Sequence, residues 1–507
     1  MIESSGSREL DRNRPHAIVI GSGFGGLAAA IRLGARGYRV TVLEHLDAPG
    51  GRAYVFHQDG FTFDAGPTII TAPFLLEELW RLCGRRFADD VELRSLQPFY
   101  RIRFDDGETL DCSNDDQAMA LQIGRIAPRD LEGYAGFLKA SEAIYKVAFE
   151  RLAHVPFSTL GDMLRLAPEL VRLRSYRSIY GLVSSYVKDP RMRFALSFHP
   201  LFVGGNPFTT TSIYGLILFL ERRWGVHCAI GGMGRIVSGM ADLIRGQGNR
   251  IRYGARVASI TLAGRRATGV CLSSGEQLNA DIVVSNADSA TTYRELLPAA
   301  VRRRWTDRKI AGASYSMSLF VWYFGTARRY ADVQHHTILA GPRYRELLRD
   351  IFERKVLAGD FSLYLHRPTA SDPSLAPAGC DAFYVLSPVP HLDGNIDWRA
   401  ESEVYRLAIS RYLSRTVLPD LEKHVITSRV MTPLDFRDRL LSYKGAAFGL
   451  APALSQSAWF RPHNQSEDID GLYLVGAGTH PGAGLPGVLS SARVLDRVVP
   501  DAGGFIR

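Results

Sequence analysis

The sequence predicts an α/β protein in which one parallel-sheet domain is assembled from separated stretches of chain. Three observations predict it. Residues 16–45, HAIVIGSGFGGLAAAIRLGARGYRVTVLEH, give an apolar strand, a glycine turn, an alanine-rich helix and a second apolar strand, a complete βαβ unit. Residues 251–288 return to short strands separated by glycine-rich turns. Residues 471–495, GLYLVGAGTHPGAGLPGVLSSARVL, repeat the strand, glycine turn and helix near the other end of the chain. Together they predict a Rossmann-type nucleotide-binding domain drawn from the beginning, middle and end.

Between these stretches the texture changes. A helix is expected at about residues 72–83, and PFYRIRF, the turn DDGE and TLDC read as a hairpin over residues 98–112. Residues 128–223 carry long helical patterns. At 507 residues the chain exceeds one compact core, so further domains are expected. We assign 15–68, 228–288 and 467–507 to the nucleotide-binding domain. A mixed-sheet substrate domain takes 69–142 and 289–466, and a mostly helical subdomain 143–227.

Composition narrows the function classes. The net charge of +9 comes from arginines spread along the whole chain, without the basic, aromatic-interleaved stripe that nucleic acid requires. The five cysteines have neither CxxC nor metal-like spacing, so neither a disulfide framework nor a metal site is expected. No apolar run reaches the roughly 18–20 residues of a membrane span. The opening MIESSGSRELDRNR has no apolar core for a secretory signal, so disorder over 1–14 and a cytoplasmic location are expected.

Gly21, Gly23 and Gly26 form GxGxxG between a strand and a helix, the context that gives this motif meaning. The first glycine permits the turn, the second admits a pyrophosphate to the backbone, and the third lets helix and strand pack closely. Glu44, at the end of the second strand, is placed to accept both hydroxyls of an adenosine ribose and to repel the 2′-phosphate of NADP. Gly50, Gly51 and Arg52 resemble the second glycine patch of the large FAD-binding oxidase and desaturase superfamily, and Val257 stands where that superfamily makes a backbone contact to adenine. The resemblance implies FAD as cofactor.

The segments GSGFGGLAAAIRL, PGGRAYVF, FTFDAGPT, SFHPLFVGGNPF, SIYGL, QSAWFRPHN and LYLVGAGTHPGAGLPGV are distributed in order from near the beginning of the chain to near its end. They resemble the bacterial-type phytoene desaturases of carotenoid biosynthesis. Where many FAD oxidases end their last strand in Gly-Asp or Gly-Glu, this chain has Gly476-Ala477. The resemblance therefore leaves backbone groups of Gly476, Gly478, Gly487 and Val488 as flavin contacts, with His480 either facing the flavin or bracing its own turn.

That resemblance implies desaturation of lipid-dissolved phytoene, a forty-carbon polyene, to neurosporene or lycopene. A hydride passes to flavin N5, a proton leaves the neighbouring carbon, and a membrane quinone or oxygen reoxidises the flavin, with no metal needed. Such a substrate is selected by shape, so an apolar tunnel is expected, with candidates Phe198, Leu201, Phe202, Pro207, Phe208, Tyr214, Leu216, Leu218 and Phe219. Asp162 and Arg165, three apart on one helical face, are candidate proton-handling residues; an exposed helical ion pair is the alternative. The apolar-to-basic stretch Ser212 to Trp224 is the candidate for peripheral attachment to the cytoplasmic membrane surface, set against an ordinary buried helix. Another carotenoid-branch desaturase, isomerase or ketolase, an amine oxidase, and a non-catalytic prenyl-lipid carrier remain as alternatives.

Overall fold

The computed structural model describes residues 14–505. The disordered tail expected at 1–14 lies outside the described residues except for Arg14, whose guanidinium donates to the carbonyls of Gly37 and Tyr38.

A five-stranded sheet runs in the order Leu472–Leu474, Ile282–Ser285, His16–Ile20, Arg39–Leu43, Arg250–Arg252, and every neighbouring pair is parallel. His16–Ile20 and Ile282–Ser285 are buried along their whole length, as expected of strands covered on both faces. Against this sheet lies helix Phe24–Ala35, buried at every residue from Phe24 to Leu33. Its small side chains let it pack among the sheet and the helices Met233–Gly246 and Leu485–Val498. Gly26 is required there, because a Cβ on it would stand 2.0 Å from the carbonyl oxygen of Gly21.

The second sheet has seven strands, ordered Val425–Met431, Ser318–Thr326, Asp381–Val389, Leu363–His366, His336–Leu339, Tyr100–Arg103, Thr109–Cys112. It is mixed, since His336–Leu339 runs parallel to Tyr100–Arg103 while the other pairs are antiparallel. Strand Ser318–Thr326 alternates strictly between two cores. Phe320, Trp322 and Phe324 join the cluster containing Trp398 and Tyr405 of helix Trp398–Thr416, whereas Leu319, Val321 and Tyr323 join that of Phe61 and Phe63.

The chain from 116 to 224 is largely helical, and Leu131–Tyr145 packs on Leu216–Trp224. None of the residues of Leu160–Arg172 is buried. Among the described residues no helix is long and apolar enough to cross a membrane.

One buried carboxylate ties a two-stranded ribbon to a helix packed beside the parallel sheet. Strand Phe61–Asp64 pairs with Val55–Gln58, and its last residue, Asp64, accepts the backbone N–H of Met233 at 3.0 Å to each carboxylate oxygen. Helix Met233–Gly246 is preceded by Gly232, which has no side chain to cap it, so Asp64 serves that end from a distance in sequence. Burial pushes the Asp64 carboxyl up to about 6, against the opposing pull of the helix N–H groups. The folded chain therefore holds more protons than the unfolded one between pH about 4 and about 6, and the Asp64 contribution to stability falls as pH rises through that window. Denaturant melts of the protein and of Asp64→Asn across pH 4–7 should diverge accordingly, by on the order of 2 kcal/mol. Parallel curves would show that Asp64 does not titrate in the window.

Candidate active site

The glycine turns form one backbone cradle. Gly21 leaves its strand with φ +89° and donates to the carbonyl of Leu43, and Gly50, at φ +122°, donates to the carbonyl of Ser22. Gly23 and Gly50 bridge in parallel, so the first turn and the second glycine patch are one hydrogen-bonded surface. The helices Phe24–Ala35 and Leu485–Val498 both start at glycines, Gly23 and Gly484, with no side-chain cap. Two helix N-termini with uncapped N–H groups thus border the same cavity, which suits a pyrophosphate and a polar ring edge.

Glu44 is buried at the strand end and is fully engaged. One carboxylate oxygen accepts the N–H and the hydroxyl of Ser22 at 2.8 and 2.6 Å, and the other accepts Leu46 N–H at 2.9 Å and pairs with His45 Nδ1 at 2.9 Å. Burial raises its pKa, but these hydrogen bonds outweigh burial and hold the carboxyl below its ordinary value. The acid therefore clamps the glycine turn as well as facing the cavity.

A continuous cavity of about 580 Å³ runs from this cradle into the space between the second sheet and the helices. Of the residues singled out in the sequence, Gly21, Gly23, Glu44, Gly50, Gly51, Arg52, Val257, Gly476, Gly487 and Val488 line it. Gly26 and Gly478 do not. They pack behind it, Gly26 on Gly21 and Gly478 on Ser289, whose Cβ and Oγ would both be 2.7 Å from an added Cβ. Arg52 donates to Ala447 O at 2.7 Å and Ser442 Oγ at 2.8 Å, which locks the glycine patch to residues 442–447.

Comparison with known proteins decides the family. Residues 24–494 match the model of the flavin containing amine oxidoreductases. The chain belongs to that family. The neurosporene-forming phytoene desaturase of Rhodobacter capsulatus is 49% identical over 492 residues, covering 96% of this chain and 94% of the relative. The lycopene-forming phytoene desaturase of Pseudescherichia vulneris is 51% identical over 482 residues, covering 94% and 97%. Putrescine oxidase bound to putrescine shares the fold at a TM-score of 0.64 and 14% identity, with 96% of this chain and 99% of that one covered.

As a member of the flavin oxidoreductases the chain uses FAD, and the cradle fits it: glycine turns where a Cβ would crowd the backbone, an acid at the strand end, and two helix N-termini without side-chain caps. Asn286 was not apparent from the sequence. Its side chain sits among Gly23, Gly25 and Gly476, closer than 3.1 Å to where each would carry a Cβ, and so joins the first and last glycine turns. His480 lines the cavity and ties its turn to the helical region. Its Nε2 lies 3.0 Å from Leu152 O, its ring packs edge-on against Phe157, and burial pushes its pKa down to about 4.

Of the tunnel candidates, Phe198, Leu201, Phe202, Tyr214 and Leu216 line the cavity, whereas Pro207, Phe208, Leu218 and Phe219 do not. Phe208 packs on Tyr180 under Arg345, and Phe219 packs on Tyr145. The missing walls come from strands and from the outer helix: Leu319, Val321, Tyr364 and Leu386, with Met163, Leu166 and Leu170. Away from the cradle the wall includes a buried acid, Glu221, whose carboxylate accepts Tyr100 OH at 2.9 Å and lies 3.5 Å from His199 Nε2.

The structure does not bring Asp162 and Arg165 to the cavity wall. Asp162 completes a capping box with Thr159 at the start of helix Leu160–Arg172, and Arg165, 85% exposed, stands 3.9 Å away. The inner face of that helix carries Met163, Leu166 and Leu170, so a proton role for the pair requires the helix to rotate. Backbone N–H groups and the hydroxyl of Thr159 hold the Asp162 carboxyl below its usual range, as expected of a cap.

Glu44 should therefore affect both ligand and fold. Glu44→Ala is expected to weaken FAD binding by about 2–3 kcal/mol and also to lower the thermal midpoint of the flavin-free protein, because Ser22 and Leu46 lose their acceptor. Flavin titration and calorimetry check the two effects separately. Gly23→Val places side-chain atoms against Asn286, whose Nδ2 is already 3.0 Å from the Cβ position, and should abolish stoichiometric flavin.

Proposed function

We propose that this chain desaturates phytoene to neurosporene or lycopene, with FAD held on the glycine cradle and the polyene in the apolar cavity. What carries the reading is identity near 50%, over nearly all of both chains, to desaturases that form each product. FAD supplies the hydride acceptor. The chain supplies a cavity whose walls beyond the cradle are mainly apolar, Met163, Phe198, Leu201, Phe202, Leu319 and Val321 among them, and such a surface selects an apolar chain by length and shape. A membrane quinone or oxygen takes the electrons onward.

An amine substrate would need polar groups converging beyond the cradle. Glu221, a buried acid of the wall, is already engaged by Tyr100 and His199, which favours the polyene. A prenyl-lipid carrier would not need both glycine patches bonded into one cradle.

A substrate dissolved in lipid favours docking of the cavity mouth on the bilayer from the cytoplasmic side. The stretch Ser212 to Trp224 is poorly suited to this. Leu220 and Glu221 are buried, Leu216 and Leu218 pack into the helical core, and Trp224 Nε1 donates to Tyr145 OH. Helix Leu160–Arg172 is better suited: it exposes Leu160 at 49%, Leu164 at 66% and Val171 at 63%, flanked by exposed Arg165, Arg172, Arg174 and Arg177, while its inner face lines the cavity.

Two measurements test the proposal. Reconstituted with FAD and liposomal phytoene, the protein should yield pigments whose spectra identify neurosporene or lycopene; unchanged phytoene with an added quinone would refute the activity. The double variant Leu160→Asp, Leu164→Asp should lose on the order of 2 kcal/mol of liposome binding and convert liposomal phytoene more slowly, with flavin content intact. Flotation equal to that of the parent protein would remove this helix as the docking face.

A further inference from the structure

Three histidines converge behind the cavity wall, away from the flavin cradle. His335 and His336 stand at the start of strand His336–Leu339, and His366 ends the adjacent strand Leu363–His366, directly across from His336. All three are buried. One ring nitrogen from each lies within 4.8 Å of the others, and Nε2 of His335 is 3.2 Å from Nε2 of His366. In a tetrahedral site with metal–nitrogen bonds of about 2.0–2.1 Å, neighbouring ligand nitrogens are separated by roughly 3.3–3.4 Å.

The outer nitrogens of two rings are already fixed. His335 Nδ1 is 2.8 Å from Ser371 Oγ, and His336 Nδ1 is 2.7 Å from the Tyr364 hydroxyl. His336 Nε2, by contrast, is buried without a hydrogen-bond partner. A ring oriented through Nδ1 with Nε2 left open is the arrangement of a metal-ligating imidazole. Burial pushes the pKa of His335 down to about 3, with Arg367 adding to the shift, and pushes His336 and His366 well below the ordinary value. Neutral imidazole is the form that ligates. The positive charge of Arg367 is set against Asp381, 3.9 Å away.

We propose that His335, His336 and His366 bind one divalent transition-metal ion of the zinc class, with water or hydroxide in the fourth position. An all-imidazole set favours Zn²⁺, Co²⁺ or Ni²⁺ over Mg²⁺ or Ca²⁺, which take oxygen ligands. The ion would not exchange electrons with substrate. It would hold two strands together and, through His336, fix Tyr364, whose hydroxyl is 2.8 Å from Thr68 Oγ1; both residues line the cavity. This revises the expectation of no metal, which came from cysteine spacing and from the family resemblance.

The test uses untagged, flavin-loaded protein, dialysed against metal-free buffer and then against excess Zn²⁺ or Co²⁺ and desalted. Elemental analysis should find about one ion per chain, Zn²⁺ should raise the thermal midpoint, and Co²⁺ should give the visible absorption of a tetrahedral nitrogen site. His336→Gln and His366→Gln should each lose the ion and the Co²⁺ spectrum while keeping flavin. The proposal is overturned if the parent protein retains no ion, or if both variants retain as much as the parent. Should a variant fail to fold, the Co²⁺ spectrum of the parent protein decides: tetrahedral absorption supports the site and its absence removes it.

Discussion

The structure depends on backbone meeting backbone where no Cβ can stand. A Cβ on Gly25 would lie 2.9 Å from the Cα and nitrogen of Gly476, and one on Gly26 would lie 2.0 Å from the Gly21 carbonyl. These contacts bring strand His16–Ile20 and strand Leu472–Leu474 close enough for their turns to share one cavity, although Ile282–Ser285 runs between them. Asn286, at the end of that middle strand, fills the gap left by the missing side chains. The cofactor cradle is thus a consequence of close packing as much as of the motif, and a bulky side chain there harms fold and ligand site together.

From the cradle outward the chemistry changes from polar backbone to apolar side chain. Strand Ser318–Thr326 gives one face to the aromatic core around Trp398 and the other, through Leu319 and Val321, to the cavity. The same sheet that stabilises the domain therefore shapes the binding space. Polar groups that intrude on it are paired with one another: Thr68 with Tyr364 and Tyr384, and Glu221 with Tyr100. An apolar ligand then leaves these hydroxyls with their partners.

What could be read from the sequence was what is local in it. The parallel strands showed as continuous apolar runs, the turns as glycine spacing, and the strand-end acid as Glu44, because each is fixed within about twenty residues. Contacts across the fold left no such trace. Gly26 and Gly478 carry the motif but pack behind the cavity; Asp162 and Arg165 have the spacing of a working pair and serve as a helix cap with an exposed neighbour. Phe208 and Phe219 looked like tunnel lining because they are aromatic in a helical region, and hydrophobicity cannot tell a cavity wall from the core beside it. Asn286 and the three histidines become visible only when strands are paired.

The outer helix shows how fold and function press on the same residues. An isolated thirteen-residue helix is marginal in water, and Leu160–Arg172 has a proline at position 168 and no buried residue to compensate. Its capping box and the ion pair from Arg151 to Glu169 hold it, but its apolar stripe is divided between the cavity and solvent. A lipid surface would cover the outward leucines and leave the inward ones to the polyene. Under the docking proposed above, the helix would be least stabilised away from the bilayer and would gain burial on both faces with the cavity mouth against lipid.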